Sequence, residues 1–242
     1  MKYLVQALLI YGLFVFSSLA TELTFKANER HATDVKRDKS SKGAEVVALA
    51  NIKPGMKVFD LLGGGGYYSE ILNDVVGESG RVYLHNNKAY MPWIEKELVA
   101  RLANNRLPNV QRYDKETPDL GLKQQSFDAM FYVLGYHDIY HQGEGWKIDK
   151  DSFLPQITSA IKSGGKLVIV DHSAKVGSGI KSAQKLHRID VEYVKEEVAN
   201  LGFNLVVESN ILANPKDQRT ISPFKPEMRR KTDRFVLIFE KR

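Results

Sequence analysis

The chain has 242 residues, enough for one sizeable α/β domain with a substantial core, and no internal repeat or low-complexity linker divides it. Its 35 basic and 29 acidic residues leave a formal charge of +6, spread out except for modest clusters at Lys36, Arg37, Lys39 and Lys42 and at Arg229-Arg230-Lys231. Nucleic-acid binding calls for a denser basic face, and the absence of cysteine excludes disulfides, thiolate zinc and a lipid-carrying cysteine.

At the N-terminus Lys2 precedes an apolar stretch from Tyr3 to Phe16, followed by Ser17-Ser18-Leu19-Ala20. This pattern reads as a signal peptide over residues 1–20, with Ser18 and Ala20 at the small-residue positions and cleavage before Thr21. The stretch is short of the about 20 apolar residues that span a bilayer. A periplasmic or secreted chain is therefore expected, with no stable membrane span after cleavage. Residues 21–42 are polar and mixed in charge, a leading helix or N-terminal arm ahead of a single domain over 43–242.

The first helix of that domain is expected from Gly43 to Ala50, ending before the turn Ile52-Lys53-Pro54-Gly55. A strand from Lys57 to Leu62 runs into Gly63-Gly64-Gly65-Gly66. Tyr68, Ile71, Leu72, Val75 and Val76 then form one apolar helical face that stops at Gly77. Strand, glycine turn, helix lets a ligand approach the backbone, because glycine has no Cβ and a helix N-terminus offers unpaired N–H groups.

Further strands are expected at Arg81 to His85 and Val110 to Tyr113, around a helix from Ile94 to Asn104. The nearly continuous apolar run Phe127 to Leu134 predicts a strand buried on both faces of a parallel sheet. A helix from Ser152 to Ile161, a strand from Lys166 to Val170 and an Asp190-capped helix to Leu201 follow. Strands Asn204 to Glu208 and Arg234 to Glu240 close the chain. The alternation predicts a doubly wound α/β sheet whose ligands sit beyond the carboxyl ends of its strands. Asp60, the glycines, Asn86, Asp114, Gly135 to Asp138 and Asp171-His172 share that rim.

The glycine run fits neither Gly-x-Gly-x-x-Gly nor a phosphate-binding Gly-Lys-Ser/Thr loop. Its neighbours are more specific. Ile52 to Asp60 with the following glycines, Ser126-Phe127-Asp128-Ala129-Met130, Ile161 to Val170 and Phe235 to Glu240 together resemble the class I S-adenosylmethionine-dependent methyltransferases. The resemblance covers about residues 44–242. It implies a Rossmann-like seven-stranded sheet, mostly parallel with an antiparallel C-terminal strand. Tyr136-His137-Asp138, Asp171-His172, Leu186 to Asp190, Glu208-Ser209, Asn214-Pro215 and Lys231 to Leu237 further resemble an uncharacterised group of exported predicted methyltransferases.

The resemblance implies S-adenosyl-L-methionine as cofactor and a small-molecule or envelope acceptor. Gly63, Gly64, Gly65 and Gly66 would pass against the cofactor's amino-acid portion, with Asp60 ordering the turn or meeting the methionyl ammonium. Asn86 would reach the ribose. Asp114 would receive the adenine amino group, or else be a solvated loop carboxylate. Two positions depart from the family pattern: Leu62 stands where glycine is usual, and Asn86 where an acid is usual. A protein that keeps the fold for binding without transfer is the alternative they raise.

His137, Asp138, His141, Asp171, His172 and His187 come from three segments, two of them at the rim. His137 is expected to act as base or acceptor-orienting group, with Asp138 or Asp171 fixing its tautomer. His172 competes for that role, and His187 has the alternative of packing beneath the Asp190-capped helix. The spacing His137-x-x-x-His141 would suit metal ligands on a helix, the basis of a metal-dependent hydrolase alternative. No Glu follows His137, so no metal ligands are assigned. Tyr136 and Trp146, in glycine-bearing loops, are candidates to wall an acceptor pocket.

Overall fold

Seven of the strands pair into one sheet in the computed structural model, which describes residues 30–242. Helices α1 (Ala32–Ser41) and α2 (Gly43–Leu49) precede β1 (Lys57–Leu61), α3 (Tyr67–Val76), β2 (Arg81–Asn86) and α4 (Met91–Leu102). Strands β3 (Val110–Asp114) and β4 (Phe127–Val133) follow, then a small antiparallel pair, β5 (Gln142–Gly143) and β6 (Trp146–Lys147). The chain continues through α5 (Lys150–Ala160), β7 (Ile161–His172), α6 (Ala183–Leu186) and α7 (Val191–Asn200) to β8 (Phe203–Ser209) and β9 (Arg234–Lys241).

The sheet order is β3-β2-β1-β4-β7-β9-β8. Its pairs are parallel apart from those made by β9, which is antiparallel to both β7 and β8. This is the doubly wound, mostly parallel sheet with an antiparallel C-terminal strand that the sequence predicts. The strand order reverses between β1 and β4, so the ends of those strands form the switch point where ligands bind in such sheets.

Alternate residues of each central strand enter opposite cores. Phe59, Met130, Tyr132, Leu167, Ile169, Leu237 and Phe239 pack with Phe153 and Ile157 of α5 and Val194 and Val198 of α7. Their neighbours Val58, Ala129, Phe131, Val168, Val170, Val236 and Ile238 pack with Val46 and Val47 of α2 and Ile71, Leu72 and Val76 of α3. Each fully buried aliphatic or aromatic side chain contributes about 1.5–3 kcal/mol, which makes these two layers the rigid base of the rim.

Three boundaries differ from expectation. Strand β7 reaches back to Ile161 and forward through His172, because its pairing with β9 continues through Asp171↔Phe235 and His172↔Arg234. Asp171 and His172 are therefore held by a strand ladder rather than a loop. Helix α4 starts at Met91, earlier than expected, with Pro92 in its first turn, where a missing N–H does no harm.

The third difference is the arm. Its described part forms α1, which is tied to the domain: the Tyr67 hydroxyl donates to Asp38 at 2.7 Å, and Arg234 donates to the Ser40 carbonyl at 2.6 Å. The expected signal peptide and its cleavage site lie outside the described residues. Among the described residues, no helix is long and apolar enough to cross a membrane.

Candidate active site

The glycine turn is built by β2. After Leu61 the backbone enters the left-handed region at Leu62 (φ 50°), and the Leu62 N–H donates to His85 Nδ1 at 3.2 Å. His85 Nε2 donates to the Lys115 carbonyl at 2.9 Å, which fixes the tautomer. Burial lowers the His85 pKa to about 4, so this ring is a neutral clamp. The Gly63 N–H donates to the His85 carbonyl at 2.9 Å. A Cβ on Gly63 would sit 2.6 Å from the Asp60 carboxyl, and one on Gly66 (φ 84°) would sit 2.8 Å from Leu84. Glycine is required at both positions by the turn's own packing.

Asp60, at the end of β1, is buried and accepts a hydrogen bond from Ser69 Oγ at 2.7 Å. Burial raises its pKa to about 6 despite that bond. Asn86 is fully buried, and both ends of its amide are engaged by one residue. Its Oδ1 accepts from the Gly64 N–H and its Nδ2 donates to the Gly64 carbonyl, each at 2.9 Å. The structure thus gives Asn86 a different partner from the expected ribose. Asp114, its register neighbour on β3, is exposed and ion-paired to Arg112 Nε at 2.5 Å, the solvated-carboxylate alternative.

Helix α4 closes over the turn, a feature with no sequence signal. Arg101 donates from Nε to the Gly65 carbonyl, and its Nη2 lies 2.7 Å from Asp34 and 2.8 Å from Glu97. Its Nη1 pairs with Glu70. One buried guanidinium therefore joins α1, α3, α4 and the turn. A cavity of about 540 Å³ opens beside Trp93, Lys96 and Ala100. It is bounded by Arg101 and Glu97, while the histidines sit at the strand ends instead.

The second half of the rim is the histidine–aspartate cluster. His137 lies in a single-turn 3-10 helix, Tyr136–Tyr140, straight after β4. Its Nδ1 donates to Asp171 Oδ1 and its backbone N–H to Asp171 Oδ2, both at 2.8 Å. Asp171 also accepts the His172 N–H at 2.7 Å. On the other side, His137 Nε2 lies 3.0 Å from Asp138 Oδ1, and His187 Nδ1 lies 3.4 Å from that same oxygen. Burial opposes a charge on His137, but the two carboxylates outweigh it and raise its pKa to about 10. His137 is then an imidazolium at neutral pH.

His172 is set apart electrostatically. Its Nδ1 hydrogen-bonds with Thr232 Oγ1 at 2.7 Å. Burial first, then the nearby positive charges of His137, Arg234 and Arg188, push its pKa well below 6.5. It is the neutral imidazole of the rim.

The expected residues separate accordingly. His137, Asp138, Asp171 and His172 do come together, with His187 as an added member at the end of α6. His141 follows the 3-10 turn and stacks on His187 with ring centroids 4.4 Å apart, so it does not share a helical face with His137. Tyr136 is buried, its hydroxyl donating to Glu197 of α7 at 2.6 Å. Trp146 does face the cluster: its Nε1 donates to the Asp138 carbonyl at 3.0 Å, and it stacks on Tyr90 at 5.2 Å. The Tyr90 hydroxyl in turn donates to Asp138 at 3.3 Å, linking the segment after β2 to the cluster.

The profile of the ubiE/COQ5 methyltransferase family matches residues 17–204. The chain belongs to the ubiE/COQ5 methyltransferase family. Among its relatives is a ubiquinone/menaquinone biosynthesis C-methyltransferase UbiE from Legionella pneumophila (strain Lens), 27% identical over 135 residues, 56% of this chain and 50% of that protein. The UbiE of Bordetella parapertussis is 28% identical over 202 residues, 78% of this chain and 71% of that one. The chain spans about half the length of most of the curated relatives it matches.

Solved structures agree on the fold. A SAM-dependent methyltransferase from Aquifex aeolicus superposes with a TM-score of 0.58 at 17% identity, covering 84% of this chain and 97% of that one. An arsenic(III) S-adenosylmethionine methyltransferase from Chlamydomonas reinhardtii gives 0.52 at 15% identity, covering 78% and 64%. S-adenosylmethionine is the cofactor this family and fold imply. The turn fits it: left-handed backbone at Leu62, Gly64 and Gly66 lies beside a buried carboxylate, Asp60, at the switch point. The Asn86 amide, expected at the ribose, already serves Gly64 through one Oδ1 lone pair and one Nδ2 hydrogen.

Proposed function

We propose that this chain is an exported S-adenosylmethionine-dependent methyltransferase acting on a small-molecule or envelope acceptor. The observation that carries the reading is the glycine turn at the end of β1, at the sheet's switch point, in a chain of this family. Export rests on the N-terminal pattern, Lys2, the apolar stretch and the Ser18-Leu19-Ala20 site. The UbiE relatives are named as C-methyltransferases of quinone biosynthesis, which favours a small cyclic acceptor over a macromolecule.

When bound, S-adenosylmethionine supplies a methyl group activated by its sulfonium charge. The chain's task is then alignment: the acceptor atom must lie in line with the breaking S–C bond. The Gly63–Gly66 turn would pass against the cofactor's amino-acid portion, and the Asp60 carboxylate would meet its ammonium. On the acceptor side Asp138 and His187 are the accessible members of the cluster, braced from behind by His137 and Asp171. His172 stays neutral and serves as a hydrogen-bonding partner for a polar acceptor group.

Calorimetry of the purified chain with S-adenosylmethionine and its demethylated product tests the reading. Micromolar binding is expected, and no heat with either ligand overturns it. Mass spectrometry of the exported protein is expected to show Thr21 as the first residue. A second reading, a binding protein that retains the fold without transfer, is favoured by the engaged Asn86 amide. Cofactor binding without methyl transfer to any extract would select it. The family and fold displace the metal-dependent hydrolase alternative.

A further inference from the structure

Three donor atoms from two segments converge between the end of β4 and the end of α6. His137 Nε2 and His187 Nδ1 lie 3.0 Å and 3.4 Å from Asp138 Oδ1, and all three atoms fall within 4.8 Å of one another. We propose that His137, Asp138 and His187 form a binding site for one divalent transition-metal ion.

The spacing is that of ligands around a cation. Nitrogen and oxygen ligands sit about 2.0–2.2 Å from zinc, which puts tetrahedral neighbours about 3.3–3.6 Å apart, matched by the 3.4 Å of His187 Nδ1 and approached by the 3.0 Å of His137 Nε2. The directions agree with the distances. Both ring nitrogens are buried, and neither makes a hydrogen bond despite its closeness to the Asp138 oxygen. A ring N–H aimed at Oδ1 would make that bond. Each ring nitrogen therefore points off the line to Oδ1, leaving a buried position that a cation can take in place of the His137 ring proton. His137 is only 2% exposed, so its unpartnered nitrogen looks into the protein at this point and not into solvent.

The surroundings supply what a metal-bound imidazole needs. A ligating histidine characteristically donates its other ring N–H to a carboxylate, which orients the ring and raises its basicity. His137 does so to Asp171, itself fully buried and anchored by the His137 and His172 N–H groups. Asp138 and Asp171 bring two negative charges to this pocket, so a dication that displaces the His137 ring proton is balanced there. Two imidazoles and one carboxylate select a first-row transition metal over magnesium or calcium, which prefer all-oxygen sites. The side chains of Asp138 and His187 are 14% and 19% exposed, so the free coordination positions face outward, where an oxygen or nitrogen of a bound small molecule can reach them. The site stands whether or not the chain transfers methyl groups.

The test is titration of the purified, chelator-stripped chain with Co²⁺ and Zn²⁺. One equivalent of Co²⁺ is expected to give a visible d–d spectrum that Zn²⁺ abolishes. His187→Ala and Asp138→Asn are each expected to weaken binding by about 100-fold or more. His31→Ala, which removes an imidazole at the start of α1, is expected to leave it unchanged. A spectrum at millimolar Co²⁺ no different from that of the free aqueous ion overturns the proposal, as does unchanged affinity in both cluster variants. Thermal melting checks that the variants fold, and if H187A does not, the near-isosteric D138N decides the matter alone.

Discussion

His137 and Asp171 meet through two hydrogen bonds of 2.8 Å, one from the ring and one from the backbone, across the ends of adjacent strands β4 and β7. This pair locks the ring's orientation, fixes which nitrogen faces Asp138, and ties the segment after β4 to the sheet. Everything accessible in the cluster is arranged around it.

The pair makes stability depend on pH. A histidine whose pKa is raised on folding stabilises the fold fully below its unfolded value, near 6.5, and this contribution is lost as pH rises toward about 10. Denaturant melts of the chain are expected to lose a few kcal/mol across that window. Asp171→Asn removes one of the two carboxylates, so the His137 titration, followed by NMR, is expected to move to lower pH and the slope to flatten. An unmoved titration would show that Asp171 does not set this charge.

Leu62 offers a test of backbone strain. Its φ of 50° suits glycine, yet its side chain is buried in the core that packs on α5 and α7. Leu62→Ala is expected to cost about 2–4 kcal/mol through the cavity it leaves. Leu62→Gly removes the same side chain but relieves the left-handed strain. It is therefore expected to be more stable than the alanine variant by about 1 kcal/mol, the reverse of the usual order. Urea denaturation of the two variants reads the difference.

Asn86→Asp would restore the acid usual in the family, and the structure predicts harm from it. The new oxygen would replace the Nδ2 that donates to the Gly64 carbonyl at 2.9 Å, setting two acceptors against each other. A loss of about 1–3 kcal/mol is expected near neutral pH. It should shrink under acidic conditions, where the carboxyl can donate again. Melting temperatures measured at both pH values check the sign.

Arg188 is fully buried and clamps the long segment after β8. Its guanidinium donates to the Ser173 and Ile221 carbonyls at 3.0 and 2.9 Å and pairs with Asp217 at 2.8 Å. Burial works against the Asp217 charge, yet the Asp233 and Arg219 N–H groups and Arg188 hold its pKa below the ordinary value. Arg188→Ala leaves that carboxylate unpaired and is expected to cost about 3–5 kcal/mol. Arg188→Lys is expected to recover part of this, since an ammonium supplies the charge without the planar fork. Equilibrium denaturation measures both.

The sequence alone determined the sheet, its glycine turn and the membership of the rim. Apolar runs such as Phe127 to Leu134 and the helical spacing from Tyr68 to Val76 are local, and local periodicity reports which face is buried. It also brought His137, Asp138, Asp171 and His172 to one edge, because a parallel sheet places the ends of all its strands together. Only the tertiary structure decided what those side chains do. Asn86 turned to Gly64 and Tyr136 to Glu197, partners 22 and 61 positions away that no spacing rule connects. Arg101 over the turn and His187 beside Asp138 were likewise invisible in sequence. Hydrogen bonds and charge pairing act over about 3 Å in space, and the fold alone sets which distant residues come that close.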